Sequence, residues 1–306
     1  MYIGIDIGGT KCAVITADDS GNLLTRVAFP TTSCQETLEH IYAVVASCGQ
    51  AKAIGVSCGG PLDEQKGLIL SPPNLIGWDR VPIVEELEKR FSCPAHLCND
   101  ANACALAEWR FGAGVGTKNM IFLTFGTGMG AGLIIDGKLY AGTNGNAGEV
   151  GHIRLAQTGP VGYGKAGSFE GFCSGGGLRQ IGRSFALEKL QVGKSCAYCP
   201  TKQDLEHISA KAIADAADAG DETALAVYHF CGEMLGYGLS ILIDILNPEV
   251  IAIGSIFARS ENLLRESAER VIAENALAVS AGVCRIVPAA LGEKIGDFAA
   301  IAVAMQ

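Results

Sequence analysis

Two short glycine-rich segments, each set between apolar strand-like runs, constrain this chain more than any other feature. Asp6-Ile7-Gly8-Gly9-Thr10-Lys11 lies between Tyr2-Ile3-Gly4-Ile5 and Cys12-Ala13-Val14-Ile15. Gly126-Thr127-Gly128-Met129-Gly130-Ala131-Gly132 lies between Met120-Ile121-Phe122-Leu123 and Leu133-Ile134-Ile135. A further strand-like segment follows each pair, at Gly21-Asn22-Leu23-Leu24 and at Gly137-Lys138-Leu139-Tyr140. Two hairpins of one grammar, about 120 residues apart, predict a duplicated domain whose turns face each other across a cleft. Glycine opens positive φ and leaves amides uncovered, so successive N–H groups can converge on an anion such as phosphate. Thr10 and Thr127 add hydroxyl donors, Lys11 adds a positive charge, and Asp6 is placed to hold a hydrated Mg²⁺. The plainer reading, two tight hairpin turns and nothing more, suits a single segment better than a pair.

A chain of 306 residues buries a sizeable core and is most simply two domains. Its net charge of −9 and the lack of any basic run remove the electrostatic footprint of a nucleic-acid binder. An anionic nucleotide would then depend on local amides, Lys11 and Mg²⁺. Met1 is followed at once by a strand-like run, which leaves no room for a leader and predicts a cytoplasmic protein. The most apolar stretch, 234–246, contains Asp244 and is flanked by Glu233 and Pro248, so it reads as too short and too polar to span a bilayer. Of the twelve cysteines most lie singly in apolar runs, as do Cys12, Cys58, Cys98, Cys104 and Cys231, and behave as reduced small hydrophobes.

The first half reads as three strands, a helix near 36–47, a strand at 51–57, a helix near 83–91, a strand at 95–98 and a helix from Ala101. That alternation is the α/β pattern. Gly112-Ala113-Gly114-Val115-Gly116 forms a glycine-rich joint, expected as the hinge between an N-terminal α/β domain at 1–115 and a C-terminal α/β domain at 116–291. A last helix within 292–306 is expected to pack back onto the first domain. The stretch 142–177 reads as irregular, and unstructured segments of this length are usually functional. Helices follow around 208–219 and 222–246, then a strand at 250–253 and helices at 261–275 and 297–305. Gly254-Ser255, between strand and helix, marks a place for a nucleotide's adenosine or ribose.

Over nearly its whole length the chain resembles the repressor/ORF/kinase (ROK) family of sugar kinases and regulators. The resemblance implies a two-domain actin-like ATPase (ribonuclease H-like) fold with a duplicated strand–glycine turn–strand unit. It also implies ATP and Mg²⁺ as cofactors, a small sugar as partner and a homodimer joined through helices of the C-terminal domain. Asn99-Asp100-Ala101-Asn102 matches the motif whose aspartate accepts a proton from a sugar hydroxyl and aims its oxygen at the γ-phosphate, so Asp100 is the implied general base. Position alone also permits Asn99 or Asp100 as a helix N-cap. Further sugar ligands implied are Asn74 in Pro72-Pro73-Asn74-Leu75-Ile76-Gly77-Trp78, Asn99, Glu149 and His152 in Gly148-Glu149-Val150-Gly151-His152, and Glu170. Gly60, in Gly59-Gly60-Pro61, shapes the pocket floor. The phosphates fall to Gly8, Gly9, Thr10 and Lys11 from the first hairpin and to Gly126, Thr127, Gly128 and Gly130 from the second. Gly254 lies near the nucleoside, and Asp6 is a water-mediated Mg²⁺ ligand.

One departure from the family matters. Many members carry a zinc ion held by the motif's histidine and by three cysteines spaced Cys-Gly-Cys-Gly-x-x-Gly-Cys-x-Glu. Laid on 161–170, those cysteines become Val161, Tyr163 and Ser168, which leaves His152 alone where structural zinc takes about four N or S ligands. No structural zinc is expected here. His152 must be oriented by another group, and the loop held by packing, with Tyr163 and Phe169 as candidates. Cys196-Ala197-Tyr198-Cys199 is a lone Cys-x-x-Cys with no second pair of ligands nearby.

What the resemblance implies is an ATP-dependent hexose kinase that transfers the γ-phosphoryl group to a sugar hydroxyl, O6 of glucose or of a related hexose or N-acetylhexosamine. The family also holds sugar-responsive regulators, which carry a helix-turn-helix domain ahead of the sugar-binding body; here no residues precede the first strand. A non-catalytic sugar-binding protein is opposed by the retention of Asp6, Lys11 and Asp100.

Overall fold

The computed structural model describes residues 1–306. The chain opens with β1 (Tyr2–Ile7), β2 (Lys11–Ala17), β3 (Leu23–Pro30), α1 (Cys34–Ser47), β4 (Ile54–Cys58), β5 (Leu62–Asp63) and β6 (Leu68–Ile69). It continues through α2 (Ile83–Phe91), β7 (Ala95–Asn99), α3 (Asp100–Phe111), β8 (Met120–Phe125), β9 (Met129–Ile135) and β10 (Lys138–Leu139). Then come β11 (Val161–Gly162), β12 (Lys165–Ala166), α4 (Phe169–Phe172), α5 (Gly175–Gln191), α6 (Ala210–Asp218) and α7 (Glu222–Leu246). The last elements are β13 (Val250–Ile253), α8 (Ile256–Arg259), α9 (Glu261–Asn275), α10 (Ala278–Ala281), β14 (Arg285–Pro288) and α11 (Ile295–Ala304).

Two five-stranded sheets carry the fold, in the orders β3-β2-β1-β4-β7 and β10-β9-β8-β13-β14. Each lists its strands as third, second, first, fourth, fifth, so the duplication announced by the two hairpins extends to the whole sheet. The chain divides into two units, one made of Met1–Phe122, Gly132–Ala147 and Ala289–Gln306, the other of Leu123–Ala131 and Gly148–Pro288.

In the first unit β1 runs antiparallel to β2 and parallel to β4, and β4 runs parallel to β7. One sheet face buries Ile5, Ile7, Val56 and Leu97 against Ile41 and Val45 of α1 and Ile83 and Leu87 of α2. The other face packs Ala13, Ile15 and Ala17 on Ala300 and Ile301 of α11. A glycine at position 55 is required by this second layer, because a Cβ there would lie 2.2 Å from the Ala304 amide nitrogen. Within the same unit Glu108 is fully buried, and its carboxylate accepts the amides of Ala113 at 2.8 Å, Ala290 at 3.1 Å and Leu291 at 2.8 Å. Three amide donors to one anion replace the water it loses. They tie the glycine-rich segment at 112–116 to the approach to α11.

In the second unit α7 packs on α5, α6 and α9. Asp221 caps its start by accepting the Ala224 amide at 2.8 Å, and Asn247 ends it in the left-handed conformation at φ 42°. This 25-residue helix extends well beyond the apolar stretch at 234–246 and is long and apolar enough, by length and composition, to cross a bilayer. The length argument made from sequence is therefore corrected. What identifies a core helix is the run of buried residues from Thr223 to Ile243.

Several elements fall outside the sequence reading, among them β5, β6, α5, α10 and β14. α5 begins Ser174-Gly175-Gly176-Gly177, which reads as loop because glycine is a poor helix former. Ser174 nevertheless caps it, its hydroxyl accepting the Gly177 amide at 3.0 Å. β14 is a short edge strand ending in Pro288, a residue tolerated at edges. The stretch 142–177 also contains more order than expected, with a 3₁₀ turn at Val150–His152, the β11–β12 hairpin and α4.

Candidate active site

In the first unit the parallel strands β1, β4 and β7 end in register, Ile7 opposite Cys58 and Cys58 opposite Asn99. Their carboxyl ends bring Asp6, Gly59-Gly60 and Asn99-Asp100 to one edge of the sheet, the usual ligand-binding edge of parallel α/β sheets. Asn99 is the N-cap of α3 and accepts the Ala101 amide at 3.0 Å. Asp100 is the first helical residue. Its Oδ1 accepts the same amide at 2.8 Å, and its Oδ2 faces Gly59. Although the Asp100 side chain is open to solvent, the protein around it desolvates the carboxyl and raises its pKa above the ordinary value. The backbone of Asn99 is fixed by Glu64, whose Oε1 accepts its amide at 2.7 Å.

Asp6 is half-buried, and its pKa is pushed up to about 6 from 3.8. Burial is the largest cause, and Asp297 and Asp100 add repulsion that Arg26 and Lys11 partly offset. Arg26 donates through Nε to both Asp297 oxygens, at 2.8 and 2.9 Å. Gly296 at the start of α11 leaves the Asp6 carboxylate uncovered, since a Cβ there would lie 3.0 Å from Oδ2. The first hairpin closes with the Gly8 amide donating to the Lys11 carbonyl at 3.1 Å, and Thr10 and Lys11 are exposed. Asn74 lies against this turn: a Cβ on Gly9 would sit 2.7 Å from both its Cβ and its carbonyl oxygen.

The turn of the second hairpin, within Leu123–Ala131, belongs to the second unit. The Gly126 amide donates to the Gly128 carbonyl at 3.0 Å, and the Gly126 carbonyl accepts the Gly175 amide at 2.8 Å. A cavity of about 580 Å³ opens beside it, lined by Gly126, Thr127, Lys211, Asp215, Ser255 and Arg259 among others. That volume suits a nucleoside-sized guest. Lys211 is paired with Asp215 at 2.6 Å, whereas Arg259 touches the Ser255 hydroxyl at 3.4 Å. Gly254 ties β13 to β8 by donating to the Leu123 carbonyl at 2.9 Å. The left-handed residue is Ser255, at φ 58°, and α8 behind it has four residues. The turn that faces the cavity is thus made by the serine rather than by the glycine.

None of Gly8, Gly9, Gly126, Gly128 and Gly130 is at positive φ, so the conformational reason given for these glycines is corrected. Close approach is what Gly9 and Gly128 serve, the latter lying against Glu170, whose Oε2 would be 2.7 Å from a Cβ at 128.

Glu149 and His152, both exposed, flank the 3₁₀ turn, and the packing of that turn and β11 on α4 brings them to the same region as Glu170. Glu170 is half-buried, and its Oε2 accepts the Met129 amide at 3.0 Å, linking this region to the second hairpin. Phe169 is fully buried and holds the loop from below, as its packing role required. Tyr163 does not, being 80% exposed, so the second packing candidate is corrected. Ser168 instead caps α4, accepting the Gly171 amide at 3.1 Å, and donates to the Lys165 carbonyl at 3.0 Å. His152 is oriented by the edge-on ring of Tyr163 at 5.3 Å, and the Lys165 ammonium donates to its carbonyl at 2.5 Å. Val161, Tyr163 and Ser168 offer no thiolate, so the donor set at this loop does not fit zinc. The Cys196 and Cys199 thiols are buried and donate to the carbonyls of Cys199 and Thr201. Glu64, Arg26, Asp297 and Arg259 were not singled out from sequence, and the Arg26–Asp297 separation of 271 residues leaves no local signal.

The sequence profile of the ROK family matches residues 2–306. The chain is 32% identical over 277 residues to the glucokinase of Halalkalibacterium halodurans, covering 86% of this chain and 82% of that one. It is 29% identical over 285 residues to the N-acetylglucosamine repressor of Escherichia coli, covering 90% and 68%. Among solved structures, a ROK family glucokinase from Streptomyces griseus in complex with glucose and AMPPNP superposes with a TM-score of 0.76 at 30% identity, covering 100% of this chain and 99% of that one. The fold is the actin-like ATPase fold of those kinases.

Proposed function

This chain belongs to the ROK family, and we propose that within it the protein works as an ATP-dependent hexose kinase, phosphorylating O6 of glucose or of a related hexose or N-acetylhexosamine. The observation that carries this reading is the state of Asp100, with one oxygen held by the Ala101 amide and the other open beside Gly59. Desolvation makes that carboxylate a stronger base than a free aspartate. In the proposed reaction Asp100 accepts the hydroxyl proton while the sugar oxygen attacks the γ-phosphorus. The bond to the β,γ-bridging oxygen breaks, and ADP leaves with that oxygen.

Asn74, Asn99, Glu149, His152 and Glu170 are the proposed readers of sugar hydroxyls, with Gly60 shaping the floor. The amides of the two glycine hairpins, Thr10, Thr127 and Lys11 hold phosphate oxygens, and the cavity beside Ser255 and Gly254 takes the nucleoside. The uncovered Asp6 carboxylate, with Asp100 nearby, is a hard oxygen donor set that fits Mg²⁺ through water. When bound there, Mg²⁺ would neutralise charge building on the phosphate oxygens. The reading extends to a cytoplasmic homodimer acting on small molecules. A sugar-responsive regulator is the second reading, favoured by the likeness to the repressor.

ADP release with Mg-ATP, measured across hexoses and N-acetylhexosamines, tests the proposal. Asp100→Asn should lower turnover by about 10³-fold or more while calorimetry still finds sugar binding. A near-normal rate in that variant would remove Asp100 as the base. A wild-type protein that binds sugar without releasing ADP would leave the regulator.

A further inference from the structure

β11 and β12 are joined by a two-residue loop, Tyr163-Gly164, with both residues at positive φ, 43° and 75°. This is the type I′ arrangement, which asparagine and glycine enter readily and which a bulky side chain at the first position disfavours. Burial does not compensate, because Tyr163 is 80% exposed. Its ring stands edge-on to His152, with centroids 5.3 Å apart and planes at 80°.

The hairpin that presents this ring is anchored on several sides. Gln180 bonds both the amide and the carbonyl of Val161, at 2.9 Å each. Lys165 reaches the His152 carbonyl. Gly162 packs so closely on α4 that a Cβ would lie 2.5 Å from the Gly171 nitrogen and 2.9 Å from the Glu170 Cβ. An aromatic side chain in an unfavourable backbone position is thus held open, beside the group formed by Glu149, His152 and Glu170.

We propose that Tyr163 is a specificity-determining residue of the sugar site, an aromatic platform for the C–H face of a pyranose whose hydroxyls are read by Glu149, His152 and Glu170. The inference rests on the sugar-site reading above. An aromatic face is electron-rich and attracts polarised C–H groups, while polar groups suit the hydroxyl rim of the same sugar. The class selected is a pyranose with equatorial hydroxyls, of glucose configuration. The face that meets the ring is the one carrying H2 and H4, where the axial O4 of galactose takes the place of the C4–H group.

The test is calorimetric binding of D-glucose, N-acetyl-D-glucosamine and D-galactose to the full chain without nucleotide. Tyr163→Asn removes the ring and suits the turn, so its melting temperature should equal or exceed that of the wild type. Its Kd for the best-bound sugar should rise by about 5–10-fold, the expected size of one aromatic contact. The discrimination against galactose should shrink, and KM for ATP should stay within about twofold. Tyr163→Phe should bind as the wild type does, and Tyr163→Gly, which also fits the turn, should repeat the loss. Unchanged sugar affinity in the asparagine and glycine variants would overturn the platform, as would an equal loss in Tyr163→Phe. Absence of any sugar binding by the wild type would overturn the sugar-site reading and the platform with it.

Discussion

The first glycine hairpin is surrounded by carboxylates, whereas beside the second, acidic and basic side chains stand together among hydroxyls and amides. Burial, reinforced by repulsion from Asp297 and Asp100, holds the Asp6 proton to about pH 6, with Arg26 engaged by Asp297. Beside the second, Thr127, Ser255, Lys211 and Arg259 line one cavity together with Asp218 and with Asp215, which pairs with Lys211, and the single carboxylate on the turn itself, from Glu170, is occupied by the Met129 amide. Equivalent strand–turn–strand units can therefore carry different electrostatics, one dominated by carboxylates and the other with its charges balanced. The duplicated backbone supplies the turn, and residues arriving from elsewhere decide whether it attracts a cation or a polyanion.

The largest effect that separates the two hairpins is a pH dependence at the first alone. The unfolded chain releases the Asp6 proton near 3.8, while the folded chain keeps it to about 6, so the stability it lends is complete below 3.8 and is lost as pH rises through 6. A gap of about 2.2 pH units corresponds to about 3 kcal/mol. Urea unfolding of the metal-free protein should show its midpoint falling between about pH 4 and 6 and levelling above, and Asp6→Asn should flatten that fall. An unflattened profile would mean the crowding of carboxylates is not felt by the fold.

A smaller contrast concerns packing. Gly9→Ala drives a methyl group into the Cβ and carbonyl oxygen of Asn74 and should cost about 1–3 kcal/mol in urea midpoints. Gly128→Ala meets the movable end of Glu170 and should cost less than about 1 kcal/mol. Equal losses would show that the two turns are equally confined. The smallest effect is expected of Asp297→Asn, which removes one source of repulsion and frees Arg26. The Asp6-linked midpoint in the same pH series should move downward, and an upward move would reverse the assigned electrostatics.

Features written locally were legible before the structure. The hairpin strands, the alternating helices and the Asn99-Asp100 helix start follow from periodicity, short turns and a capping residue. Features that depend on distant partners were not. Gly175-Gly176-Gly177 hid the start of α5 because its Ser174 cap looks like any loop serine. The glycines of the first hairpin were explained by backbone freedom, but the constraint on Gly9 comes from Asn74, far along the chain. Arg26 with Asp297 and Glu64 with Asn99 are single long-range pairs, and no spacing announces them. At the sugar loop, comparison with the family identified what was missing, while the exposed ring of Tyr163 emerged only from its accessibility.

The position of α11 has a consequence for synthesis. All strands of the first sheet have been made by residue 99, yet the face bearing Ala13, Ile15 and Gly55 has only Leu23 and Phe111 packed on it until residues 295–304 are made. A ribosome adding about 5–20 residues per second needs roughly 10–35 s to travel from residue 122 to 304. For that interval the nascent sheet lacks the helix that covers most of this apolar face. The first unit begins first and finishes last, and its unfinished face is where a chaperone would have the longest opportunity to bind.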